Sequence, residues 1–249
     1  VGKWHLGDYV GDPSFDPRRH GFERYLGVPY SNDMVPFPLV RDGKVLEAEI
    51  ADQSQLTRLY TEEAVRFIEE PRDEPFFLYF AHTFPHQPLF ASEAFHGRSD
   101  AGLYGDVVAE IDWSVGAVLD ALDRRGVADD TLVVFTSDNG PWYYGSPGGL
   151  RGRKGQSFEG GHRVPMLARW PQRIPAGSVS DVPAINLDLF PTIVALAGAA
   201  PPADRVLDGR DMFAVLTGAA TEAHDGALFF YHQGTIEGVR RGRWKYLRE

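Results

Sequence analysis

Two stretches, residues 75–82 "PFFLYFAH" and 130–140 "DTLVVFTSDNG", decide the fold class. Each is a short apolar run bounded by proline, aspartate or glycine, which reads as a buried strand rather than a helix. Between them, residues 101–125 carry Leu103, Val107, Ile111, Val115, Leu119 and Leu122 on one helical stripe, with Gly126 placed to end it. Upstream, 54–70 "SQLTRLYTEEAVRFIEE" sets Leu56, Leu59, Tyr60, Ala64, Phe67 and Ile68 at helical spacing, and Pro71 follows the end. Downstream, 163–171 "RVPMLARWP" reads as a third strand and 185–199 "INLDLFPTIVALAGA" as a helix. Strands alternating with helices predict an α/β fold, with a mostly parallel central sheet flanked by helices.

Residues 8–50, rich in Gly, Pro, Asp and Tyr, read as long ordered loops with short strands. The tail, 227–249 "ALFFYHQGTIEGVRRGRWKYLRE", reads as hairpin-like β structure. The expected division is therefore an α/β domain over 1–222 and the start of a small C-terminal antiparallel β subdomain over 223–249.

At 249 residues with 43% hydrophobic content, the chain is long enough to bury a sizeable core. Its net charge of −10 is spread along the sequence without a basic cluster, which argues against nucleic acid or an anionic membrane as the main partner. No apolar run approaches the roughly 20 residues needed to cross a bilayer. The absence of cysteine removes disulfides, thiolate metal sites and cysteine nucleophiles from these residues. The start at Val1, directly inside a motif-like segment, is read as the mark of a piece of a longer protein, truncated at both ends. Oligomeric state is left open.

In open α/β sheets ligands bind at the carboxyl ends of strands, so the polar residues after the apolar runs carry weight. Asp138 and Asn139 offer two hard oxygen donors in succession, suited to Ca²⁺ or Mg²⁺, and Gly140 lets the chain turn beyond them. An Asx-type turn is the plainer alternative for that dipeptide. In "GKWHLG" (2–7), Lys3 and His5 are two apart and share one side of an extended segment, while Trp4 faces the other way. A cation beside an imidazole suits an anion; a surface lysine and a satisfied histidine are the plainer reading. In 148–165 the glycines with Arg151, Arg153, Lys154 and Arg163 suggest an anion-binding loop. Trp142, Tyr143 and Tyr144 follow the acidic dipeptide, where they would stack on a sugar or aryl group or pack the loop down.

Taken together, "GKWHLG", "HGFERYLGVPYSNDM" (20–34), "PFFLYFAHTFPHQP" (75–88), "TSDNGPW" (136–142) and "GRKGQSFEGGHRVP" (152–165) resemble the sulfatase family, particularly arylsulfatases and N-acetylgalactosamine-6-sulfatases, within the alkaline phosphatase superfamily. The resemblance implies hydrolysis of sulfate monoesters, of aryl alcohols or sugars, by a formylglycine nucleophile beside a calcium ion. On this sequence it assigns Asp138 and Asn139 to the metal, with Ca²⁺ ahead of Mg²⁺. Lys3 and His5 become the pair that contacts the formylglycine, His5 helping to expel sulfate from the covalent intermediate. Ser31 becomes a substrate contact, while His86 and Lys154 hold sulfate and assist the leaving oxygen. A periplasmic or secreted location is also implied.

The family's nucleophile motif, Cys or Ser followed by x-Pro-x-Arg, is not found here, and "SFDPR" at Ser14 has its proline misplaced. The nucleophile and an aspartate pair completing the metal site are expected upstream of Val1, and the isolated chain is expected to be inactive. Two other readings are a phosphomonoesterase or phosphonate hydrolase of the same superfamily, and a nucleophile-less protein that binds sulfated glycans. The two-metal phosphatases typically place histidine where this chain has Asn139.

Overall fold

A computed structural model describes residues 1–248. They divide into two compact units, Val1–Ala128 and Asp129–Glu249.

In the first unit, four short strands form one sheet in the order β1 (Gly2–Lys3), β2 (Leu26–Val28), β3 (Leu39–Arg41) and β4 (Lys44–Glu47). Two helices follow, α1 (Leu56–Glu69) and α2 (Gly102–Arg125). Both helices lie where the apolar spacing predicts. Leu56 and Tyr60 of α1 and Val107 and Ile111 of α2 join Leu26, Val28, Phe37 and Leu39 in one core. Gly126 ends α2 in the left-handed region at φ 72°, its N–H donating to the carbonyls of Leu122 and Asp123. Leu103, at the first turn of the predicted stripe, is exposed.

The "PFFLYFAH" stretch corrects the expectation of a buried strand. Only Ala81 makes a ladder contact, a parallel bridge to Gly2, although the segment is tied to the chain start by Ala81 N–H donating to Val1 O at 2.9 Å. Its side chains alternate with period two: Phe76, Leu78 and Phe80 are half-buried, while Phe77 and Tyr79 are 54% and 52% exposed. Six apolar residues in a row thus conceal a one-sided extended segment.

The second unit holds β5 (Val133–Thr136), the one-turn helix α3 (Glu159–His162), β6 (Met166–Arg169), α4 (Leu189–Leu196), α5 (Phe213–Leu216) and three final strands, β7 (Leu228–His232), β8 (Thr235–Arg241) and β9 (Trp244–Leu247). The last three form an antiparallel meander, as the tail predicts. β5 is only half-buried and pairs with β6 antiparallel, Val133 opposite Arg169 and Thr136 opposite Met166. The fold class is α/β, with a mixed rather than mostly parallel sheet. Among the described strands the parallel contacts are β1 with β2 and the Gly2–Ala81 bridge. The reason lies in the connections: a parallel return needs a long crossover, usually helical, and the one helix between β5 and β6 is a single turn.

Asp188, fully buried, ties three segments of this unit together. Its carboxylate accepts from Ile185 N–H and Arg210 N–H, each at 2.8 Å, and meets His224 Nε2 at 2.9 Å. Asp188→Ala removes the acceptor of both part-buried N–H groups and empties a fully buried position, and we expect it to destabilise the unit by about 1–3 kcal/mol in urea unfolding, with Asp188→Asn recovering part of the loss. An unchanged unfolding midpoint for Asp188→Ala would refute this role.

Candidate active site

Lys3, His5, Ser31 and His86 belong to the first unit. β1 runs between the segments that lead into the other two. On one side Trp4 N–H donates to Val28 O at 3.0 Å and His5 N–H to Pro29 O at 2.9 Å, just before Ser31; on the other, Lys3 N–H donates to Ala81 O at 2.8 Å, five residues before His86. Gly2 makes this spacing attainable, because a Cβ there would lie 1.8 Å from Ala81 O and its φ is 102°. The expected alternation of Lys3 and His5 on one face ends at Lys3, since β1 stops there and His5 adopts φ 51°. A non-glycine residue held in the left-handed region carries conformational cost, which persists only where its surroundings impose it. His5 is exposed and Lys3 half-buried. Trp4 packs inward, its ring 5.9 Å from those of His20 and Phe22.

Ser31 and His86, 55 residues apart, are brought together. Ser31 is buried, and its Oγ lies 3.1 Å from His86 Nδ1 and 3.4 Å from Nε2. His86 Nδ1 also approaches the Gln87 carbonyl at 2.7 Å and Asn32 Oδ1 at 3.3 Å. A carbonyl only accepts, so the shortest of these contacts assigns a proton to Nδ1. Nε2 is then the nitrogen that takes up or releases a second proton. Asn32 is itself locked, its amide donating to Gln53 Oε1 and Pro88 O at 2.9 Å each. Asn32, Gln53 and the Gln87 carbonyl therefore fix the ring. Asn32 sat in view inside "PYSND", but nothing in the sequence tied Gln53 to His86.

Four residues earlier, His82 has a different character. Thr61 Oγ1 donates to Thr57 O and meets Ser114 Oγ, which meets His82 Nε2 at 3.3 Å. Burial pulls the His82 imidazole down to about 4, so it is neutral near pH 7. His82 belongs to the packing between α1 and α2.

Asp138, Asn139 and Lys154 belong to the second unit. The Asn139 amide nitrogen donates to the Asp138 carboxylate, and Ser137 Oγ donates to Asn139 O at 3.1 Å. Gly140 does not supply a left-handed turn. It is required by close approach, because a Cβ there would lie 2.0 Å from Gly160 O, and its N–H donates to Gly161 O at 2.9 Å. Lys154 N–H donates to Pro141 O at 3.1 Å, which sets the basic loop directly against the acidic dipeptide. Within that loop two of the arginines have other tasks. Arg151 lies over the Phe158 ring at 3.9 Å, and Arg153 donates to the carbonyls of Trp142 and Gly145 at 2.9 and 2.7 Å. Among the described residues Lys154 forms no ion pair, which leaves its ammonium available to an anion.

The loop is also held from the C-terminal sheet. Ser157 Oγ donates to Glu237 Oε2 at 2.8 Å, and Glu159 bonds to Lys245 at 2.9 Å and Arg240 at 3.3 Å. Neither Ser157 nor Glu237 was singled out by sequence, because their partnership exists only once β8 returns past the loop.

Among the described residues no group of three or more His, Asp or Glu side chains gathers to hold a metal. What is present is one carboxylate beside one carboxamide, hard oxygen donors that fit part of a Ca²⁺ or Mg²⁺ shell and lack the nitrogen and sulfur donors preferred by zinc.

No helix among the described residues is long and apolar enough to cross a membrane. Residues 153–246 match the family model described as "N-sulphoglucosamine sulphohydrolase, C-terminal". Among curated relatives, the N-acetylgalactosamine-6-sulfatase of Canis lupus familiaris is 40% identical over 98% of this chain and 50% of its own length. The steryl-sulfatase of Mus musculus is 35% identical over 96% of this chain and 52% of its own. The chain thus spans about half the length of these relatives. Among solved structures, i-CgsB in complex with a neocarrahexaose is 31% identical with a TM-score of 0.85, covering 100% of this chain and 61% of that one. A sulfatase from Pseudoalteromonas sp. is 25% identical with a TM-score of 0.88, covering 98% of this chain and 57% of that one. With the sulfatase family model matching residues 1–199 in addition, the chain belongs to the sulfatase family.

Proposed function

We propose that the protein to which this chain belongs hydrolyses sulfate monoesters, with sulfated sugars favoured over aryl sulfates. The observation that carries the proposal is the Ser31–His86 pair, in which an imidazole fixed through Nδ1 has Nε2 left for proton transfer. The names of the relatives, an N-acetylgalactosamine-6-sulfatase and a protein solved with a neocarrahexaose, support the sugar. We assign Ca²⁺, with Mg²⁺ second, to Asp138 and Asn139. When bound, the cation would neutralise negative charge on the sulfate oxygens. The nucleophile is assigned to a formylglycine outside these 249 residues, which contain neither cysteine nor a Ser-x-Pro-x-Arg match. A periplasmic or secreted location is part of the same proposal.

The side chains supply the rest. As the S–O bond of a sulfate monoester breaks, negative charge moves onto the departing oxygen, so groups that meet it there act on the transition state more than on the bound substrate. His86 releases its Nε2 proton to that oxygen. Ser31 and Lys154 orient the ester, Ser31 by hydrogen bonding and Lys154 by its charge on the sulfate oxygens. Lys3 and His5 stand at the nucleophile's side, His5 moving a proton as sulfate departs.

The test compares sulfate and phosphate monoesters on the full-length protein, with metal counted per chain. We expect higher kcat/KM for the sulfate ester and one hard divalent ion. Preference for phosphate together with two transition metals per chain would replace this reading with a phosphomonoesterase. Sulfated-glycan binding without turnover of either ester would replace it with a binding protein.

A further inference from the structure

The aromatic run directly after the acidic dipeptide has no role in the mechanism above. Trp142, Tyr143 and Tyr144 are 45%, 71% and 64% exposed, a costly concentration of apolar surface on three successive residues. Yet the backbone that presents them is fixed. Gly145 N–H donates to Trp142 O at 3.2 Å, closing a turn with Tyr143 and Tyr144 at its centre. Arg153 holds both ends of that turn through the carbonyls of Trp142 and Gly145, and its guanidinium lies 5.4 Å from the Tyr143 ring centroid. Trp142 and Tyr143 meet edge to face at 4.8 Å. Of the three rings Tyr143 has the Arg153 guanidinium over it, while among the described residues Trp142 and Tyr144 have no cation over theirs, which leaves those two faces for a ligand.

The turn's position identifies the occupant. Lys154 N–H bonds to Pro141 O, one residue before Trp142, so the loop that carries the proposed sulfate contact is joined to the turn that carries these rings. The surrounding charge agrees. Residues 142–163 contain Arg151, Arg153, Lys154 and Arg163 against the single acid Glu159, in a protein of net charge −10. A pyranose offers an apolar C–H face with a hydroxyl rim, which matches rings that combine an apolar face with a polar N–H or O–H.

The geometry points to Trp142 and Tyr144 as a sugar-stacking subsite that receives the pyranose bearing the sulfate ester, a specificity determinant for sulfated glycans. The inference rests on the sulfate-ester reading above and names the part of the substrate that reading leaves open. Because the turn is pinned before any ligand arrives, little ordering cost accompanies binding.

The experiment uses the full-length protein with N-acetylgalactosamine 6-sulfate as substrate and inorganic sulfate as competing anion. Trp142→Ala and Tyr144→Ala should each raise KM for the sugar sulfate about tenfold, the loss expected when one sugar face is returned to water. The inhibition constant of inorganic sulfate should stay within about twofold, and Tyr144→Phe, which keeps the ring, should restore most of the loss. Unchanged KM in both alanine variants, or equal shifts for sugar sulfate and inorganic sulfate, overturns the subsite. If the unmodified protein turns over no sulfate ester, the parent reading fails separately. The subsite is then read by titrating unsulfated N-acetylgalactosamine against tryptophan fluorescence: saturable quenching weakened by Tyr144→Ala supports it, and no quenching overturns it.

Discussion

Asp138→Ala in the full-length protein is expected to remove the divalent ion and to lower kcat/KM on sulfate esters by about 10²–10³-fold, the loss typical when one fixed stabiliser of transition-state charge is deleted. The residue contributes the only formal charge of the dipeptide, and its carboxylate lies in contact with the Asn139 amide. Removing it leaves a neutral carboxamide that cannot by itself offset a divalent ion's loss of hydration. Asn139→Asp should retain the metal, because coordination runs through a side-chain oxygen that both residues possess. Elemental analysis of both variants checks the assignment independently of turnover, and chelator-treated enzyme should recover best with Ca²⁺. Full metal occupancy in Asp138→Ala would show that the ion is held elsewhere.

His86→Ala should separate proton donation from anion binding. If Nε2 protonates the departing oxygen, its loss matters most for a poor leaving group, where alkoxide charge must be neutralised in the transition state. A sulfated sugar should therefore lose about 10²-fold or more in kcat/KM, while an activated nitrophenyl sulfate tolerates the change far better. Lys154→Ala should hurt both substrates alike, since a charge on the sulfate oxygens serves either ester. Equal losses on the two substrates for His86→Ala would leave the residue as a sulfate contact only. The Gln87 carbonyl, 2.7 Å from Nδ1, is the feature that makes the donor role specific to Nε2.

Much of the fold was legible because its signals are local. The stripe of α1 and the left-handed Gly126 after α2 follow from periodicity and from glycine's freedom at positive φ, both readable within a dozen residues. Burial was less legible. An apolar run such as 75–80 has the same composition whether one face or both are covered, and only the neighbouring chain decides which. Strand direction failed for a related reason, since β5 and β6 pair antiparallel through a connection whose path depends on the loop folding back on Gly140.

By itself the sequence determined the family pattern, the α/β class, both long helices and the residue types on which the chemistry would rest, because motif order and side-chain period survive in one dimension. The tertiary structure alone decided which of those residues meet. It set Ser31 against His86 and steered Nδ1 to the Gln87 carbonyl. It committed Arg151 and Arg153 to the loop while leaving Lys154 without an ion pair among the described residues, and placed His5 outside the strand that carries Lys3. These are outcomes of hydrogen-bond competition between segments far apart in the chain, where each donor takes the acceptor that folding brings within about 3 Å.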